Sequence, residues 1–299
     1  MPTSRAVKSR STRSASNTKA GKPAAKKLAA RAAAPAGASK AKAPTAKTSR
    51  AKSGGGMSFA QAMAALEKAG TEQARKTYAR HGVTIPMFGV SFAVLKTMVK
   101  QIGVDHELAR QLWDSGNHDA RTLAVKIADP AKVTPGELDR WACEHRLRSC
   151  GGYVPALASE SPLGSVKARE WLASKDEALR VAGWTLAGYL THANESESDE
   201  WFLELIHRIE KTIHQSANDE RYAMNSALIA FGGRSKALRQ AATIAAEKIG
   251  VVEVDHGDTS CETPQAVQYI EKMWAFAKAK NFATPAAQER AREKMRTRC

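Results

Sequence analysis

From Met57 onward the apolar positions of this chain recur at helical spacing, and almost no run alternates with the period of a strand. The stretches DEALRVAGWTLAGYLTH, DEWFLELIHRIEKTIHQ and SKALRQAATIAAEKIG each read as an amphipathic helix, with small residues where a neighbouring helix can approach closely. Helix-start signals recur between them. Thr134-Pro-Gly-Glu137 and Ser174-Lys-Asp-Glu177 read as capping boxes, Asn218 offers an Asn cap, and Thr263-Pro264 repeats the Thr-Pro start. These starts lie 40, 44 and 45 residues apart, which matches two-helix repeats of the HEAT or armadillo type. The pattern predicts an all-α solenoid, curved and with a concave face. Trp113, Trp141, Trp171, Trp184, Trp201 and Trp274 are spread along it and are expected in the core.

The N-terminal stretch breaks this pattern. Residues 1–56 carry 14 of the 46 Lys and Arg residues and no Asp or Glu, in a Lys/Ala/Pro/Ser background with no aromatic. Such a segment buries too little apolar surface to offset the entropy of ordering, so disorder is expected. Cations such as Lys22, Lys26 and Lys27 would displace counterions from a nucleic-acid backbone and give salt-sensitive, sequence-independent affinity. A transit peptide or a plain solubilising linker is the competing reading. The charge is confined to this tail: residues 57–280 hold 27 basic residues against 28 acidic ones, and 281–299 hold five against two. The expected organisation is therefore a basic tail (1–56), a repeat domain (57–280) and a basic C-terminal extension (281–299).

Several function classes drop out. The four cysteines are too few and too irregular for a disulfide framework, and no CxxC pair suggests a zinc ribbon. No run approaches the roughly 20 apolar residues of a membrane span, and no Gly-rich phosphate loop is present. A cytoplasmic, nucleoid-associated monomer without metal or cofactor is the expectation.

Specific words then become recognisable. FGVSFAVLKTMVKQIGVDHELARQLWDSGNHDARTLAVKIADP, LDRWA, RYAMNSALIAFGGRSKAL and VDHGDTSCETPQAVQYIEK resemble the DNA alkylation repair family of HEAT-like repeat proteins, the AlkD type, over roughly residues 57–280. The resemblance implies a protein that grips DNA in its concave face, where active members place an aspartate and aromatic residues around the deoxyribose. A carboxylate there stabilises the positive charge that develops as a cationic base leaves. Gapless matching puts the family's Trp-Asp-x-x-Asp run on Arg148, Ser149 and Gly152, and no acid occurs between Glu144 and Glu160. The Asn-Trp-Ala-Leu-Arg run reads Asn225, Ser226, Ala227, Leu228 and Ile229, with Gly232 and Arg234 still in step. No catalytic residue is assigned. Arg180 matches a position where the family presents cations to the DNA backbone.

EHRLRSCGGYV (144–154) therefore reads as a helix end closed by Gly151 and Gly152, at the place of the family's catalytic loop. Its Arg146 and Arg148 are either phosphate contacts or ordinary helix-end charges. The densest cluster of functional side chains is Asp255, His256, Asp258 and Cys261. It is a two-ligand metal or Cys-His candidate, or an inter-helix loop with Asx turns around Gly257. In WDSGNHDAR, Asp114, His118 and Asp119 suit a turn with Asn117 as N-cap rather than acid–base chemistry. His207 and His214 share a helical face as ordinary histidines.

Three functions follow as expectations. The first is binding of duplex DNA or DNA lesions through Arg146, Arg148, Arg180, Arg234 and Lys236 after capture by the tail. The second is an alkylbase DNA glycosylase with relocated catalytic groups. The third is a scaffold that takes a protein partner on its concave face.

Overall fold

The computed structural model describes residues 56–144, 153–195, 197–292 and 294–297. Within them the chain forms fourteen α-helices and no strand. In order these are α1 (Phe59–Ala69), α2 (Glu72–Arg80), α3 (Phe92–Ile102), α4 (His106–Asp114), α5 (His118–Ile127), α6 (Pro135–Glu144) and α7 (Tyr153–Glu160). There follow α8 (Gly164–Leu172), α9 (Glu177–Ala193), α10 (Asp199–Thr212), α11 (Asn218–Phe231), α12 (Lys236–Ile249), α13 (Ala266–Ala279) and α14 (Pro285–Arg290). A single 3-10 turn, Met295–Thr297, comes after α14.

Local chemistry explains the boundaries. Asp105 caps α4 by accepting from Leu108 N at 3.0 Å, and Leu108, Ala109, Leu112 and Trp113 then form its buried face. Gly116, at φ 69°, allows the reversal into α5, where Asn117 Oδ1 accepts from Asp119 N and Ala120 N as expected for an N-cap. Thr134 and Glu137 form the capping box read from the sequence, with Thr134 N donating to Glu137 Oε2 and Glu137 N to Thr134 Oγ1.

The other expected starts shift. Asp176 rather than Ser174 caps α9, because Ser174 Oγ accepts from Asp176 N and leaves the carboxylate to take Ala178 N. Asn218 opens α11 without capping it. Its side chain instead pairs with the backbone of Asp255, donating to O at 3.0 Å and accepting from N at 2.8 Å. Thr263-Pro264 precedes α13 by two residues, and a Thr-Pro start is found at α14, where Thr284 Oγ1 accepts from Ala287 N. The first 40-residue interval also spans three helices (α6, α7, α8) where the later ones span two.

Helices pair as α4/α5, α6/α7, α8/α9, α10/α11 and α12/α13, and the odd-numbered helices α3 to α13 pack against one another in succession. The even-numbered row is less closely stacked, with α10 on α12 its one extensive contact. A stack tighter along one row curves with that row inside, so the odd-numbered helices form the inner side of the repeat. Gly183 sets the α8/α9 approach: a Cβ there would lie 2.8 Å from Leu172 N. Trp113, Trp141, Trp171 and Trp184 are fully buried, each contributing about 2–3 kcal/mol by removal from water. No helix among the described residues is long and apolar enough to cross a membrane.

Candidate nucleic-acid interface

The cations singled out in the sequence have unequal fates. Arg180, in the first turn of α9, closes on Glu220 of α11, with Nε 3.1 and 3.0 Å from the two carboxylate oxygens. Its Nη1 donates to the carbonyls of Ser174 and Lys175. The Glu220 hydrogen bond raises the Arg180 pKa against the opposing effect of burial. A phosphate would reach this guanidinium only in competition with Glu220.

Arg234 is committed still more completely. Nε donates to Asp199 Oδ1 at 3.0 Å, Nη1 to the carbonyls of Leu190, Thr191 and Asn194, and Nη2 to those of Glu195 and Glu197. The side chain gathers the end of α9, the α9–α10 connection and the start of α10 around one group instead of facing outward. Lys236, in the first turn of α12, is exposed and has no ion-pair partner among the described residues. Arg146, Arg148, Lys22, Lys26 and Lys27 lie outside the described residues.

A recurring unit explains where the acids go. Trp113 Nε1 donates to Glu144 Oε2 at 2.6 Å, and Arg121 Nη2 reaches the same oxygen at 3.0 Å. Trp171 Nε1 donates to Asp139 Oδ1 at 2.7 Å while Lys167 holds the other oxygen at 2.9 Å. Trp184 Nε1 donates to Glu220 Oε1 at 3.2 Å beside Arg180. In each unit an indole and a cation grip one carboxylate across 31 to 36 residues of chain. Carboxylates bound this way are oriented by two donors each and tie one helix to another.

The inner helices leave a different surface open. On α9, Val181, Thr185, Tyr189 and His192 are only partly covered, at spacings of four, four and three; on α11, Tyr222, Ser226 and Ala230 repeat the arrangement. Tyr189 and His192 meet edge to face at 6.2 Å, as do Tyr222 and His256 at 5.6 Å. The stripe carries no Lys, Arg, Asp or Glu, so a search for arginines passes over it; its signal is the i, i+4 recurrence of small and aromatic residues inside otherwise apolar helices.

The loop before α13 is organised as turns. Asp255 Oδ1 accepts from Gly257 N at 2.8 Å in an Asx turn with Gly257 at φ 60°, His256 Nε2 lies 3.0 Å from Thr263 Oγ1, and Cys261 is exposed. Among the described residues no three His, Cys, Asp or Glu side chains are grouped to hold a metal. Asp255, His256, Asp258 and Cys261 are thus not drawn together around one point.

The basic C-terminal stretch is packed on the body. Helix α14 lies against α9 and α13, and Arg296 is buried, donating from Nη1 to the carbonyls of Val125, Lys126 and Ala128 and from Nη2 to Glu160 Oε2 at 3.0 Å. In return Lys126 Nζ, itself buried and 4.1 Å from the Tyr153 ring centroid, donates to Arg296 O at 2.9 Å. This contact could not be anticipated from net charge.

Comparison with known proteins adds three findings. A family model for DNA alkylation repair enzyme matches residues 62–270. Uncharacterised proteins of Listeria innocua and Listeria monocytogenes are 28% and 27% identical over 222 residues, covering 72% of this chain and 97% of theirs. A solved structure described as a new family of proteins related to the HEAT-like repeat DNA glycosylases, with affinity for branched DNA structures, superposes with a TM-score of 0.67 at 30% identity. That match covers 74% of this chain and 95% of the other.

Proposed function

We propose that this chain, which belongs to the DNA alkylation repair enzyme family, binds DNA and holds it without cutting the glycosidic bond. The observation that carries the reading is the 30% identical structural neighbour, a relative of HEAT-like repeat DNA glycosylases with affinity for branched DNA. The basic residues of 1–56 supply electrostatic capture, since each cation that meets a phosphate releases counterions. Duplex then docks with its sugar edge on the Tyr189 and Tyr222 surface of the inner helices, while Lys236, at the start of α12, and the sequence run containing Arg146 and Arg148 supply phosphate contacts. The carboxylates of the three indole units are each already engaged by an indole and a cation, which supports holding over excision. The protein works as a nucleoid-associated cytoplasmic monomer.

The test is fluorescence anisotropy of the full chain against intact, abasic-site and branched duplexes over a salt series, with a base-release assay on alkylated DNA alongside. Tight, salt-dependent binding without base release is expected. Replacing Arg146 and Arg148 by Ala should flatten the salt slope by about 2. Release of alkylated bases would overturn the holding role, and an unchanged slope would remove the two arginines from the interface.

A further inference from the structure

Helix α13 ends the odd-numbered row and buries one side, with Ile270 and Ala277 fully covered and Trp274 donating from Nε1 to Gly232 O at 2.7 Å. Its other side carries Tyr269, Lys272, Phe276 and Lys280 at spacings of three, four and four, an arc of about 80° on an ideal helix. Both rings are open to solvent, Tyr269 at 44% and Phe276 at 53% relative exposure. Each has an ammonium group near its face, Lys272 Nζ at 5.6 Å from the Tyr269 centroid and Lys280 Nζ at 6.0 Å from the Phe276 centroid. The one acid on this helix, Glu271, lies off this face and is held by Arg239 at 2.7 Å. The surface is therefore cationic and aromatic in alternation, on a body whose charge is otherwise near neutral.

We propose that this face of α13 is a stacking platform for an unpaired nucleic-acid strand, with Tyr269 and Phe276 taking bases and Lys272 and Lys280 taking phosphates. The inference rests on the reading of the chain as DNA-binding and names the part of the substrate that α13 would recognise. A duplex keeps its base faces inside the stack, so rings on the exposed side of a helix cannot reach them, whereas an unpaired arm exposes both base faces and backbone. An acidic peptide would satisfy the lysines and leave the rings bare. Seven residues separate the rings, about 10.5 Å of helix rise, or roughly three base steps at 3.4 Å.

The test compares full-length wild type with the Tyr269→Ala/Phe276→Ala variant on three DNAs: a plain duplex, a fully paired three-way junction and the same junction with one single-stranded arm carrying 2-aminopurine. Both rings are solvent-exposed, and a thermal melt and circular dichroism check that the variant is folded. The expected result is a preference of wild type for the single-stranded arm, lowered on the order of tenfold or more in the variant, with duplex affinity unchanged. The loss should persist at raised salt, where phosphate contacts fade and stacking does not. 2-Aminopurine fluorescence should be quenched by wild type and not by the variant. Equal affinity for paired and unpaired arms, or competition by poly-glutamate as effective as by oligothymidine, would overturn the platform while leaving DNA binding intact. No affinity of wild type for any of the three would overturn the DNA-binding reading itself, and the platform with it.

Discussion

Arg180 and Glu220, forty residues apart, are joined by three guanidinium–carboxylate contacts between 2.9 and 3.1 Å, and the same carboxylate takes the indole of Trp184. Glu220 is buried and Arg180 is three-quarters covered, so the pair ties α9 to α11 from within.

Breaking that pair should therefore act on stability before it acts on DNA. Glu220→Ala leaves a guanidinium and an indole N–H without their acceptor and is expected to cost about 2–3 kcal/mol in chemical denaturation. Arg180→Lys should recover little of an Arg180→Ala loss, because an ammonium cannot span two carboxylate oxygens and two carbonyls. A salt slope for DNA binding that dropped in Arg180→Ala with no change in stability would reverse this assignment.

Arg234 and Lys236 are two residues apart and should separate cleanly. Arg234→Ala abandons five carbonyls and Asp199, and a loss of about 3–5 kcal/mol is expected. Lys236→Ala should leave the melting temperature within error and reduce the salt slope of DNA binding by about 1. Both are read by thermal melts and anisotropy on the same preparations.

Acid should weaken the fold in two stages. Burial holds the His118 imidazole below its usual value against the pull of Asp119, so the unfolded chain takes up a proton there before the folded one does. Its contribution is present above the ordinary imidazole range and declines as pH falls below about 6.5. The hydrogen bond from Arg169 holds the Glu197 carboxyl below its usual value, and that contribution is lost lower down, as pH falls through the depressed carboxylate pKa. Melting temperature against pH should lose its upper slope in His118→Asn and part of its lower slope in Glu197→Gln.

Asp119 accepts from three successive backbone N–H groups, Phe88 and Gly89 at Oδ2 and Val90 at Oδ1, within 3.0 Å. Asp119→Asn turns one acceptor into a donor facing a donor in a buried site. A cost of about 2–4 kcal/mol is expected, with hydrogen exchange faster at residues 88–90.

What the sequence discloses here divides by distance along the chain. The Asn117 cap and the Thr134/Glu137 box complete themselves within three residues, and they appear where the sequence places them. Helix periodicity and the small residues at α9 were also readable, because burial imposes them residue by residue. Ser174 and Asn218 were misleading because a local signal met a competing partner, Asp176 two residues on and Asp255 in another turn. The indole–carboxylate units were invisible, since their partners lie one helix pair away. Counting cations therefore overstated the charge that the inner helices offer: Arg180 and Arg234 enter the sum as positive and leave it neutralised.

The Arg296 contact with the end of α5 spans about 170 residues. A stack of helix pairs touches only its neighbours and melts from its ends, repeat by repeat. Here the Met295–Thr297 turn is fastened to α5 and to Glu160, so α5 through α14 form a closed loop of contacts that neither end can leave alone. Opening is then a concerted event, with exchange at α5 and at the C-terminal turn sharing one rate. During synthesis the clasp closes only after every helix it secures has left the ribosome, and Arg296→Ala should turn one cooperative transition into progressive fraying.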